Sequence, residues 1–203
     1  MAAFDFKGVP GVLSPGTHPH LIEIPELPYL AVRGNGDPNA EGGEYKAAVG
    51  MLYAVAYDKD EPPLRQRAGG LFRLRRAAAG GPLVDGGRAG HRPNAQGDFH
   101  WIALIRLPDF VTRDVFASAV ASAERKKGLD LSRVELLRYA DGLGAVHAPR
   151  LLRRRAGAPE AMERCAAENG CVPDYAGRFH HELYLSDPRR CKPDGSGLSS
   201  AYR

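Results

Sequence analysis

One short run of the chain repeats chemically capable side chains at every second position: HHELYLSDPRR, residues 180–190. Alternate residues of a strand share a face, so His180, Glu182, Tyr184 and Ser186 line one side while His181, Leu183 and Leu185 line the other. The second set has the composition of core. The first brings together an imidazole, a carboxylate and a phenol, groups that take a proton from water, donate to a developing oxyanion, or orient a polar ligand. His180, Glu182 and Tyr184 therefore form a row that either binds a ligand or changes it.

Other chemistries fit the sequence less well. His180 and His181 point to opposite faces and do not ligate one ion together; a metal site would need His180 and Glu182 with His100 or His147. No metal and no cofactor are expected. Ser186 precedes Asp187-Pro188 without the GxSxG setting of a nucleophile, and GNGDPN lacks both the lysine of a phosphate loop and the dinucleotide spacing. Cys165, Cys171 and Cys191 have no CxxC spacing and are odd in number, which fits a reducing compartment better than a disulfide framework.

The chain has 203 residues and a net charge of +4. The sequence pI is about 9.0. The arginines cluster at Arg73, Arg75 and Arg76 and again at Arg150, Arg153, Arg154 and Arg155, with no interleaved aromatics and no helix-turn-helix or zinc-finger pattern. They read as a solvated surface, so no nucleic-acid partner is expected. No segment approaches the roughly 20 apolar residues of a membrane span, and the first residues lack a signal-peptide pattern. A soluble cytoplasmic protein with no membrane partner is the expectation; the oligomeric state stays open.

The elements that must carry the candidate residues follow from local signals. Residues 1–20, broken by Gly and Pro, read as an N-terminal arm; 21–188 form one domain; 189–203 read as a loose C-terminal tail. LIEIPELPYLAVRG (21–34) is a strand bent at Pro25 and Pro28. EYKAAVGMLYAVAY (44–57) is a helix with Tyr45, Val49, Leu52, Tyr53 and Ala56 on its apolar stripe. Short strands are expected at 71–75 and 82–86 and a stronger one at 99–108. The helix at 113–127 has Thr112 as N-cap, Asp114 near its positive end and Gly128 as its stop. Asp141-Gly142 reads as a two-residue hairpin turn between RVELLRYA and LGAVHAP. A helix at 159–169 and a last strand at 179–188 complete the chain. LPYLAVRG, loop and helix are echoed by LGAVHAP, loop and helix, which predicts two strand-helix-strand-strand units, with helices on one side of an antiparallel sheet and a cleft on the other.

LIEIPELPYLAVRGNGDPN (21–39), EYKAAVGMLYAVAY (44–57), HWIALIRLPDFVT (100–112) and HHELYLSDPRR (180–190) together resemble the GyrI-like small-molecule-binding proteins, in particular their stand-alone branch, in order and over most of the chain. The resemblance implies an α+β fold of two strand-helix-strand-strand repeats about a pseudo-twofold axis, with an antiparallel sheet and a cleft for flat, aromatic, often cationic compounds. It makes Glu182 the pocket carboxylate, with Tyr184 two residues on, Trp101 an aromatic pocket position, and Tyr29, Tyr53 and Tyr57 further wall. Stand-alone members include hydrolases that open the cyclopropane of cyclopropylindole DNA-alkylating antibiotics, which implies a detoxification or self-resistance hydrolase.

Two segments depart from the family pattern. PLVDGG offers Asp85 where the family has Leu-Glu-Gly followed by tryptophans, and the segment after the Asp141-Gly142 pair, HAPRLLRRRAG, is basic where the family is acidic, with Arg155 near the place of a carboxylate. A noncatalytic module that sequesters or senses aromatic drugs is the alternative those departures favour. A role in gyrase inhibition is a third reading, resting on the family alone.

Overall fold

The computed structural model describes residues 18–38, 40–57, 71–77, 84–85, 88–89, 99–147, 158–174, 180–184 and 198–202. Along the chain run β1 (His20–Asn35), α1 (Glu44–Ala56), β2 (Leu71–Ala77), β3 (Val84–Asp85), β4 (Arg88–Ala89), β5 (Phe99–Arg106), α2 (Arg113–Lys127), β6 (Glu135–His147), α3 (Ala158–Glu168), β7 (His180–Tyr184) and β8 (Leu198–Tyr202). β3 and β4 pair with each other, and the remaining strands close an antiparallel barrel in the order β1-β5-β2-β7-β8-β6. The α+β class expected from the sequence holds. In each half of the chain the third long strand lies between the first and second: β5 between β1 and β2, β8 between β6 and β7.

Closure gives the barrel strands two distinct faces. Leu27, Tyr29 and Ala31 of β1 pack inside with Ile102 and Leu104 of β5. Leu30 and Val32, with Trp101, Ala103 and Ile105, form the outer face under Ala48, Leu52 and Val55 of α1 and Ala119 and Ala123 of α2. Both faces of β5 are therefore buried, which is why HWIALIR is almost continuously apolar rather than alternating. Burying a side chain such as Leu52 contributes about 1.5–3 kcal/mol before entropy is subtracted.

The helices end where the local chemistry stops them. The Thr112 side chain accepts from the Val115 N–H at 3.3 Å, and Gly128 closes α2 at φ 61. The Lys127 ammonium donates to the Ala54 carbonyl at 2.7 Å, satisfying a last-turn acceptor of α1 and joining the two helix ends. α1 buries Ala48, Leu52, Ala54, Val55 and Ala56, so its core stripe is centred away from Tyr53, which is half-buried on the flank.

Three expectations are corrected. Asp141 and Gly142 do not turn the chain: β6 runs through them, Asp141 is buried, and Gly142, at φ 66, sits opposite Ile24 of β1. Pro25, next to Ile24, lacks an N–H for the ladder and is missing from the paired positions, so β1 and β6 pass an irregular step here and continue to pair on either side of it. Residues 198–202, read as part of a loose tail, form β8 and supply the partner that the facing edges of β6 and β7 require. On the side of the sheet opposite the helices, where a cleft was expected, the described residues of β1 and β5 pack together inside the barrel. Of the arm expected at 1–20, residues 1–17 lie outside the described residues, as does Pro188, and His20 already begins β1.

Candidate functional site

The ladders place one continuous row of residues across the outer face. Val32 of β1 is in register with Ala103 of β5, Ala103 with Arg73 of β2, Arg73 with Glu182 of β7, Glu182 with Ser200 of β8, and Ser200 with His147 of β6. Residues in register across an antiparallel ladder share a face and stand about 4.5–5.5 Å apart at their Cα atoms. Glu182 thus occupies a position between those of an arginine and a serine, with the His147 position two strands away, about 10 Å.

The row next to it runs Gly34, Trp101, Arg75, His180. Gly34 is required there: a Cβ would come within 2.3 Å of the Trp101 ring, which lies across it. Trp101 is buried and meets the Tyr45 ring edge-on at 5.0 Å. Among the described residues its buried indole N–H has no hydrogen-bond acceptor. Trp101 is thus packed under α1 at the border of the face that carries Glu182.

α1 covers β1 and β5 at one end of these rows, where Val32 and Ala103 join its core cluster. α3 covers the other end, where its Met162 packs on Ala145 of β6 and Leu21 of β1. Among the described elements no helix packs extensively on β2 or β7, so their outer face lies in the gap between the two helices.

The sequence candidates divide between the two faces. Glu182 and His180 share the face of Trp101, and Tyr184, two residues further along β7, belongs to it by alternation. His181 is in register with Leu74, itself opposite Ile102, so it belongs to the interior face expected of a core histidine. Tyr29 does not join the site. It is buried inside the barrel, where loss of solvent, and then the Asp141 charge, push its phenol well above the usual tyrosine range against the opposing pull of Arg106. Tyr53 and Tyr57 stack on the flank of α1, with centroids 5.2 Å apart and planes 16° from parallel, and Tyr57 is 42% exposed. Arg106 is in register with Tyr29 on the interior face, opposite to that of Glu182, and donates to Asp109 at 2.9 Å.

Arg73, Arg75 and Ser200 were not readable as site residues. The arginines looked like surface charge, and nothing local ties LFRLRRA to HHELY. Alternation within LFRLRRA did separate Phe72 and Leu74 from Arg73 and Arg75, and that was the available signal.

No protein-family model matches the sequence, and no curated protein matches it. Solved structures do. An uncharacterized conserved protein from Listeria innocua is 29% identical, with 94% of this chain and 93% of that chain covered at a TM-score of 0.77. A hydrolase from Listeria innocua is 27% identical, covering 93% and 92% at a TM-score of 0.74. The C-terminal domain of EcmrR, at 10% identity, covers 91% and 94% at a TM-score of 0.50, a likeness of fold alone. The fold is shared, and it is consistent with the GyrI-like architecture that the sequence resemblance implied. Among the described residues no helix is long and apolar enough to cross a membrane.

Proposed function

We propose that this protein binds a flat aromatic small molecule on the outer face of β2 and β7, in the gap between α1 and α3, and hydrolyses it. The observation that carries the reading is the row Arg73–Glu182–Ser200, which sets a carboxylate position at the centre of the only barrel arc that no described helix covers extensively. The likeness to a hydrolase over nearly the whole of both chains supports the enzymatic side of it. The same pairing order in the two halves supports a pseudo-twofold relation between them, with the gap between α1 and α3 at its centre.

The specific reaction is water addition to a cyclopropane conjugated to a dienone, as in cyclopropylindole alkylators. Water attacks the unhindered ring carbon, the carbon–carbon bond of the cyclopropane breaks, and its electron pair flows through the conjugated ring to the carbonyl oxygen. Glu182 takes the proton of the attacking water; the phenolate left behind is then protonated. Tyr184 supplies a donor, and the Tyr53–Tyr57 stack is aromatic wall, while Trp101 is buried beneath α1. A positioned base contributes about 10²–10⁴ in rate, enough for a strained electrophile.

Mass spectrometry of the full chain incubated with such a compound tests this: a gain of one water with wild type, lost with Glu182→Gln, is the expected result. Compound bound but recovered unchanged would replace the hydrolase reading by a sequestering module, the alternative that the basic HAPRLLRRRAG segment favours.

A further inference from the structure

Resting on the reading of this face as a cleft for aromatic molecules, we infer that its ligand carries negative charge or develops it on reaction, as a carboxylate or a phenolate, and that Arg75 recognises it. The juxtaposition is one of register. On the outer-face positions of β2 and β7 stand two guanidinium positions, Arg73 and Arg75, and one carboxylate position, Glu182. Glu182 is directly opposite Arg73. Arg75 has Trp101 in register on one side and His180 on the other, and neither is acidic.

Arg73 and Arg75, two residues apart on one strand, are separated by about 7 Å, close enough for like charges to repel. Glu182 offsets one of them. Two cationic positions against one carboxylate position leave these ladder positions net positive. A guanidinium position in register with an imidazole position suits a planar aromatic acid: the arginine fork can make bidentate hydrogen bonds to the acid while the imidazole stacks on the ring. A cationic ligand would gain from Glu182 and lose against both arginines. In the proposed reaction the same position would hold the oxygen that becomes phenolate, so that charge developing along the reaction coordinate is met by a fixed cation.

Three anthracenes of one shape decide this by fluorescence titration against the full chain near neutral pH: the 9-carboxylate, the 9-hydroxymethyl alcohol and the 9-aminomethyl ammonium. The carboxylate should bind at least about ten-fold more tightly than the ammonium, with the alcohol between them. Arg75→Gln should bring the carboxylate to the level of the alcohol while leaving the alcohol within about two-fold, and Glu182→Gln should tighten the carboxylate. An ammonium bound as tightly as the carboxylate would overturn the charge inference and leave the aromatic cleft standing. Loss of all three probes alike in Arg75→Gln, or no change for the carboxylate, would remove Arg75 from the recognition. If wild type bound none of the three, the cleft reading would fall and this inference with it.

Discussion

Glu182 stands directly opposite Arg73 across the β2–β7 ladder, with Ser200 opposite it on the other side. An opposite-charge pair in that relation contributes about 0.2–1 kcal/mol. A double-mutant cycle of Arg73→Leu and Glu182→Leu, read by urea unfolding, should return a coupling in that range, smaller at high salt. Strict additivity would mean that the two side chains do not meet, and would take from Glu182 the neighbour that distinguishes it from a lone pocket carboxylate.

Gly34 and Trp101 give a sharper test of how the face is built. A methyl group at position 34 would sit 2.3 Å from the indole, and a ring held between the sheet and Tyr45 has little room to yield. Gly34→Ala is expected to cost about 1–3 kcal/mol, the range for overpacking a filled site. Trp101 is the chain's one tryptophan, so its emission reports the displacement directly. An unchanged midpoint and unchanged emission would contradict the packing.

What the sequence disclosed depended on the range over which each signal acts. Thr112, Asp114 and Gly128 bound α2 through contacts within a few residues, and the helix ends where they say it does. The alternation of HHELY placed Glu182 and His181 on opposite faces correctly, since that too is local. Asp141-Gly142 misled because a glycine at positive φ, the mark of a hairpin turn, also occurs inside a long strand, here opposite Ile24 and beside the irregular step at Pro25. The barrel explains the rest. Arg73 and Glu182 are more than a hundred residues apart, and only the closed order of strands, completed by β8, makes them neighbours.

β8 itself is testable for that reason. LSSAY is short and polar, and Ser200 is paired with Glu182 on one side and His147 on the other. Proline at an interior strand position removes a ladder donor. Ser200→Pro should therefore lower stability by at least about 1 kcal/mol, the net worth of one hydrogen bond, whereas Ser200→Ala should change it little. Equal stability of both variants would return residues 198–202 to the status of a tail.

Inside the barrel, Tyr29 links the fold to pH. Burial comes first and the Asp141 charge second in raising its phenol above the ordinary range, while Arg106, whose guanidinium carbon lies 6.0 Å from the ring centre, lowers it only in part. In the unfolded chain the phenol ionises near its usual value of about 10, while in the folded protein it stays protonated beyond that point. Above that pH the unfolded state binds fewer protons than the native state, so stability falls as pH rises, by up to about 1.4 kcal/mol per unit; below it the group has no effect. Tyr29→Phe keeps the ring and removes the proton, so it should lose about 1 kcal/mol less than wild type between neutral pH and a pH one unit above the usual tyrosine value. Urea midpoints for both proteins across that range give the comparison. Parallel pH profiles would mean that the phenol is solvated, and that the barrel interior is open where it is described as packed.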